Sequence, residues 1–268
     1  MSDTALESIL RRDRYAVMVA LVLLTVLAWA YVLWLAKHMD MPDPSSMSGM
    51  GAMAPQVRPW AIPDLLFSFT MWSVMMAGMM LPSVAPVILL YVLVGRQAEA
   101  LQKPLAATGS FAGGYLLAWT GFSLLASLLQ AALNQAALLT PELASTNDIL
   151  GGVILIVAGL YQWTSLKDRC LANCRAPLFF IQRHGGFQRR ALPSLGLGLQ
   201  HGLYCIGCCW ALMLLLFVGG VMNIAWIAGI AGLILLEKIL SDGRTVSRVF
   251  GSGLIIGGVT LALQHLPT

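Results

Sequence analysis

The sequence predicts an all-α fold, a polytopic bundle of about seven transmembrane helices with its N-terminus in the cytoplasm and its C-terminus outside. Three observations predict it. Of the 268 residues 58% are hydrophobic and only 10% are charged, whereas soluble domains carry roughly a quarter charged residues. The apolar residues form blocks of about 17–25, long enough to cross a hydrocarbon core of ~30 Å. The basic residues separate these blocks, as topology signals do.

The apolar blocks define the spans in order along the chain. The first begins at Tyr15 and is too long for a cleavable signal sequence, so it should remain as a signal anchor. The second contains Pro82 and Pro86, which predict a kink or a break. The predicted spans are 15–36, 65–94, 107–131, 149–164, 194–219, 221–238 and 248–265.

The segments between the spans complete the domain organisation. We expect a cytoplasmic segment at 1–14, a signal-anchor span at 15–36, a Met/Pro-rich external loop at 37–62, and a six-span membrane domain at 63–268 with a basic cytoplasmic loop at 165–193. Of the 16 Lys and Arg residues, all but Lys37 and Arg58 then lie on the cytoplasmic side, as the positive-inside rule requires. No basic stripe with interleaved aromatic residues is present, so nucleic acid is not an expected partner.

The fifth span carries the sharpest candidate site, in the stretch LGLGLQHGLYCIGCCWALM. His201, Cys205 and Cys208 stand at i, i+4 and i+7, within about 60° of one helix face, and Cys209 flanks that face. Thiolate and imidazole ligands select Cu(I), zinc or another thiophilic ion such as mercury. One helix cannot complete a shell, so either a second helix supplies ligands or the face is a ladder of successive sites.

Three other segments offer soft ligands. The second span contributes thioethers, the external loop contributes Met and His, and the loop after the fourth span contributes a Cys pair. The order of these ligands along the predicted spans predicts a route for one soft ion across the membrane, with its direction left open. The candidate ligands are Met75, Met76, Met79 and Met80 in the span, His38, Met39 and Met41 outside, and Cys170 and Cys174 inside.

Packing alone explains many of these residues. A single Met or Cys in a span usually serves as apolar bulk. His201 is different, because ionisable residues inside a membrane are functional by default. Glu237 and Lys238 end the sixth span, where we expect them to pair or to extend to the interface.

Several strings resemble the bacterial family of predicted metal-binding integral membrane proteins. They are MWSVMMAGMMLPSVAPVILLY at 71–91, GLYQWTSLKDRCLANCRAPLFF at 159–180, HGLYCIGCCWALMLLLFVGGVMNIAW at 201–226 and LEKIL at 236–240. Together they cover the chain from the second span to the sixth. The resemblance implies a multi-pass protein of the bacterial inner membrane that binds metal.

The leading functional hypothesis is Cu(I) handling, by transport or as a metallochaperone. The expected partners are the lipid bilayer and a membrane or periplasmic cuproenzyme or a periplasmic metallochaperone, with an oligomer or complex left open. A membrane thiol–disulfide oxidoreductase using Cys205 and Cys208 is the alternative, and a structural subunit of a membrane complex is the third. Enzymatic activity is the less favoured expectation. The chain has no P-loop, Rossmann fingerprint or HExxH motif, so any transport is not expected to be driven by ATP bound to it.

Overall fold

The computed structural model describes residues 3–39, 61–98, 104–139, 148–188, 190–240 and 242–264. All regular elements in these ranges are helices, which confirms the predicted all-α class. They are α1 (Asp3–Met39), α2 (Ile62–Ala98), α3 (Pro104–Gln135), α4 (Asp148–Tyr161), α5 (Ser165–Arg175), α6 (Pro177–Arg183), α7 (Ala191–Leu214), α8 (Leu216–Gly219), α9 (Ile224–Ile239) and α10 (Gly243–Gln264).

Five of the described helical runs are long and apolar enough to cross a membrane: α1, α2, α3, α10 and the run of α7 with α8. The pair α4 and α5 makes a sixth candidate, although it is bent by 65°. Helices α4 and α9 have 14 and 16 residues, about 21 and 24 Å at the helical rise. Each alone is shorter than a hydrocarbon core of ~30 Å. Length therefore supports five or six crossings.

Helix α2 runs without interruption through Pro82 and Pro86, so the predicted break is absent. A proline at position 82 leaves the carbonyl of residue 78 without its helical donor. The indole of Trp29 on α1 donates to this Gly78 carbonyl at 3.2 Å. A Cβ on Gly78 would lie only 3.1 Å from the Cβ of Ala28, so glycine allows α1 to come close. A neighbouring helix thus satisfies the freed carbonyl, which is how membrane helices tolerate proline.

Helices α3 and α7 touch through their backbones. A Cβ on Gly198 would lie 1.9 Å from the carbonyl oxygen of Phe111, and one on Gly114 would lie 2.0 Å from that of Leu195. No side chain fits at either glycine while the helices keep this distance. The contact fixes α3 against α7, the helix that carries most of the candidate ligands.

A buried ion pair joins α5 to the ends of α9 and α10. The Lys167 ammonium lies 2.8 Å from the Glu237 carboxylate, and both side chains are almost fully inaccessible to solvent. Lys167 also donates to the Gln162 amide oxygen, and the Ser247 hydroxyl donates to Glu237 at 2.8 Å. A buried pair needs such extra hydrogen bonds to offset the loss of water. The network fixes the last turn of α9 beside α5.

The segment from α4 to α6 packs along α7. The Tyr161 hydroxyl donates to the Gly207 carbonyl, Cys174 contacts Cys208, and the Phe180 ring lies 4.8 Å from that of His201. These contacts follow α7 from residue 208 back to residue 201. The basic loop predicted at 165–193 is therefore largely helical, and it delivers its cysteines to α7.

Candidate metal centre

Three thiols converge between α5 and α7. The sulfur atoms of Cys174, Cys205 and Cys208 all lie within 4.8 Å of one another, and those of Cys174 and Cys208 are 4.0 Å apart. Their exposed fractions are 7%, 0% and 2%. The bend between α4 and α5 turns Cys174 towards α7, where the i, i+3 spacing of the other two places them on one face. Three buried sulfurs at this separation can hold one thiophilic ion.

The α7 thiols are oriented by the helix itself. Cys208 and Cys209 both donate to the carbonyl oxygen of Cys205, at 3.0 and 2.9 Å. Cys209 is buried but does not belong to the group of three sulfurs. Cys208 can exchange its hydrogen bond to the Cys205 carbonyl for a bond to a metal ion with little movement, because its sulfur already faces Cys174.

The Cys205 sulfur also contacts groups from two further helices. The Lys238 ammonium on α9 donates to it at 3.1 Å, and the Tyr115 hydroxyl on α3 is in hydrogen-bond contact at 3.2 Å. Lys238 donates as well to the Ser83 hydroxyl on α2, at 2.8 Å. The Cys205 sulfur therefore contacts polar groups from α3 and α9, besides lying next to the sulfurs of Cys174 and Cys208.

His201 lies one turn before Cys205 but outside the group of three sulfurs. Its ring is buried and lies 6.0 Å from those of Phe111 and Tyr115 and 4.8 Å from that of Phe180. Its Nδ1 is buried and has no hydrogen-bond partner among the described residues. An unpartnered buried nitrogen is rare. The surrounding aromatic rings keep this nitrogen buried, with no hydrogen-bond partner among the described residues.

The predicted thioether ligands are all buried. Met75, Met76, Met79 and Met80 belong to the same hydrophobic core as the three cysteines. Met76 and Met80 lie within about 60° of Ser83 around α2, on the side that Lys238 reaches. Met75 and Met79 line a narrow crevice with Trp29, Val32, Gly78 and Ile227. Two of the four thioethers thus share the face of α2 that carries Ser83, and two lie towards α1 and α9.

Of the remaining predicted ligands, His38 and Cys170 are described by the structure and do not belong to the group of three sulfurs. His38 is exposed near the end of α1, where its Nδ1 is 2.7 Å from the Trp34 carbonyl oxygen. Met39 ends α1, and Met41 lies outside the described residues. Cys170 is half-buried, and its sulfur lies 2.8 Å from the position that a Cβ on Gly207 would occupy. Of the predicted inner pair, Cys170 and Cys174, only Cys174 therefore belongs to the group of three sulfurs.

Sequence reasoning missed Lys238, Ser83 and Tyr115 as neighbours of the site. Lys238 was expected to pair or to extend to the interface, and instead it contacts Cys205 within the helix bundle. The only signal in the sequence is the adjacent pair of opposite charges, Glu237 and Lys238, in the string LEKIL. This pattern does not reveal that the two side chains have different partners, or that one of them reaches a thiol on another helix.

The family is shown by a comparison with family models. A model described as PpoB2, a copper chaperone, matches residues 69–261, well over half of the chain. The chain belongs to this copper-chaperone family. The match begins in α2 and ends in α10, so it includes the three clustered cysteines, His201 and Lys238. Searches of curated proteins and of solved structures give no match.

Membership of the copper-chaperone family agrees with the ligands that the structure brings together. Thiolate sulfur is the soft ligand that favours Cu(I). A chaperone has to hold its ion and later release it. Three thiols, one of them beside an ammonium, form a site that can exchange ligands one at a time.

Proposed function

We propose that this protein is a membrane copper chaperone that binds Cu(I) as its cargo at Cys174, Cys205 and Cys208. The convergence of these three buried sulfurs within 4.8 Å carries the proposal, and membership of the copper-chaperone family supports it. Zinc prefers four ligands in a tetrahedral shell, one more than the cluster supplies. Two or three sulfurs suffice for Cu(I).

We propose that the other soft residues serve the passage of the ion. His201 is the first acceptor beyond the sulfurs, because its free Nδ1 lies one helical turn from Cys205. Met75 and Met79 of α2 line the way towards α1, Met76 and Met80 lie on the face of α2 that carries Ser83, and Cys170 and Cys209 make transient contacts. His38, Met39 and Met41 capture or release the ion outside. The receiving partner is a membrane or periplasmic cuproenzyme or a periplasmic metallochaperone.

We propose that the chain crosses the bacterial inner membrane seven times, with its N-terminus inside and its C-terminus outside. Helices α4 and α9 are then two short crossings, and α5 and α6 belong to the segment between α4 and α7 and pack along α7. The distribution of Lys and Arg supports this orientation.

Metal analysis of the purified protein tests the binding site. The wild type, purified in detergent under reducing conditions after supplying Cu(I), should carry close to one copper per chain. Replacing Cys174, Cys205 or Cys208 by Ser should each remove most of the copper. Cys170→Ser and Cys209→Ser are matched controls from the same two helices and should retain it. No copper in a folded wild type, or equal loss in all five variants, would contradict the site.

A thiol–disulfide oxidoreductase is the second candidate, because the sulfurs of Cys174 and Cys208 lie 4.0 Å apart. This differs from the Cys205–Cys208 pair that the sequence indicates. Titration of free thiols in oxidised protein, with an absorbance scan for a bound quinone, distinguishes the two functions. A redox enzyme would lose two thiols reversibly and bind no stoichiometric copper.

A further inference from the structure

His184 stands at the end of α6, where the backbone fixes the orientation of its ring. Its Nδ1 lies 2.8 Å from the carbonyl oxygen of Phe180, four residues earlier. A carbonyl oxygen can only accept a hydrogen bond, so Nδ1 carries the proton and Nε2 of the neutral ring keeps its lone pair. A bond from one ring nitrogen to a carbonyl is also what orients histidines that bind metal ions. His184 therefore presents the nitrogen through which an imidazole binds a metal.

A single phenyl ring links His184 to the interior of the bundle. The Phe180 ring lies 4.5 Å from that of His184 and 4.8 Å from that of His201. Tyr204 borders the same gap, with its ring 6.0 Å from that of Phe180 and 6.4 Å from that of His184. His184 is half-buried, His201 is buried, and Cys205 follows one helical turn later. The two imidazoles thus lead from the edge of the bundle to the group of three sulfurs.

We propose that His184 and His201 form the entrance through which Cu(I) reaches the three cysteines, with Phe180 and Tyr204 as its walls. The proposal rests on the copper site described above and adds the end of the bundle at which the ion arrives. In the proposed topology this is the cytoplasmic end, because α6 belongs to the inside segment between the crossings α4 and α7. The partner that it implies is a cytoplasmic donor of Cu(I), and His38 then serves release at the other end.

Passage through this entrance is an exchange of ligands without a change in oxidation state. Cu(I) accepts imidazole nitrogen as well as sulfur, and it binds His184 through the lone pair of Nε2 without releasing a proton. Between the two imidazoles the ion moves along the rings of Phe180 and Tyr204, because the face of an aromatic ring attracts a cation. The Nδ1 of His201 has no hydrogen-bond partner among the described residues, so the arriving ion does not have to displace one.

Contacts with α2 hold the entrance in place. The Phe187 ring fills the space that a side chain at Gly95 would need. The backbone N–H of Gln188 donates to the Tyr91 hydroxyl at 3.1 Å. The chain is therefore anchored within four residues of His184, and the imidazole keeps its place beside Phe180 before an ion arrives.

Loading rates of two His184 variants test the proposal. His184→Asn removes the imidazole but keeps a donor for the Phe180 carbonyl, since Asn173 makes the same bond to the Arg169 carbonyl at 2.9 Å. It should slow the uptake of Cu(I) by about tenfold or more. His184→Met loses the donor but keeps a soft ligand, so it should load at close to the wild-type rate. Both variants should reach the copper content of the wild type.

The probe is Cu(I) bound to bicinchoninate, whose absorbance falls as the purified protein takes up the ion in detergent under reducing conditions. His38→Asn is the matched control, because the His38 Nδ1 makes the same contact with a carbonyl four residues earlier, that of Trp34, at 2.7 Å. It should leave the loading rate unchanged. Should His184→Met fail to fold, His184→Cys replaces it as the variant that has a soft ligand.

The order of the rates separates an entrance from a structural role of His184. A structural role requires the hydrogen bond and predicts slow loading in His184→Met and normal loading in His184→Asn. That order, equal rates in the two variants, or equal slowing in His38→Asn would overturn the entrance and leave the copper site standing. A folded wild type that takes up no Cu(I) would overturn both.

Discussion

At the scale of single residues, the proposed site separates thiols that would hold an ion from the groups that surround them. Cys174, Cys205 and Cys208 form the group of three sulfurs, and the Lys238 ammonium contacts one of them, Cys205. His201 stands one turn away with its nitrogen unpartnered. A site of this kind can load without rearranging its helices, because the sulfurs already face one another.

His201→Phe should separate binding from release. The phenyl ring fits the aromatic cage, and loss of a nitrogen outside the group of three sulfurs should leave the copper content unchanged. Transfer of copper to an excess of chelator should become slower, since the ion loses its first acceptor. Stopped-flow chelation of the loaded protein measures both quantities. Loss of copper from the resting variant would instead make His201 a ligand of the bound ion.

At the scale of elements, the position of the site depends on a close contact between the backbones of two helices. Gly114 and Gly198 bring the backbones of α3 and α7 together. Tyr115 follows directly after Gly114 and contacts Cys205. The close packing of α3 on α7 therefore also determines what surrounds the Cys205 sulfur.

Gly114→Ala should destabilise the protein, while Gly113→Ala should not. An added methyl at 114 meets the Leu195 carbonyl, whereas one at 113 has nothing within 4 Å. Overpacking costs about 1–3 kcal/mol, and exposed substitutions usually change stability by less than about 0.5 kcal/mol. Thermal unfolding in detergent gives the comparison. Similar melting temperatures for the two variants would contradict the close contact between α3 and α7.

At the scale of the whole molecule, the sequence predicted those features of the fold and the site that depend on local sequence patterns. The long spans follow from uninterrupted apolar runs, and the shared face of Cys205 and Cys208 follows from helical spacing. Cys174 could not be placed with them, because that depends on the 65° bend between α4 and α5. The unbroken course of α2 through Pro82 depends on a donor from another helix, Trp29. Long-range contacts of this kind leave no periodic signal.

Reporter fusions test the proposed seven crossings. A reporter that is active only outside the cytoplasm should be active when fused after α3 or at the C-terminus. It should be inactive when fused after α2 or between α9 and α10. The expectation follows from the basic residues, which resist translocation. If the C-terminal fusion were inactive, the C-terminus would lie in the cytoplasm and the number of crossings would be even. Either α4 or α9 would then not cross the membrane.

The central claim, a Cu(I) ion held by three cysteine sulfurs, is tested most directly by copper K-edge absorption spectroscopy of the loaded protein. The structure predicts a first shell of sulfur alone. This shell should be the same in His201→Phe and in Cys209→Ser, and it should lose a sulfur or vanish in Cys174→Ser. A shell that contains nitrogen, or one that Cys174→Ser leaves unchanged, would contradict the claim.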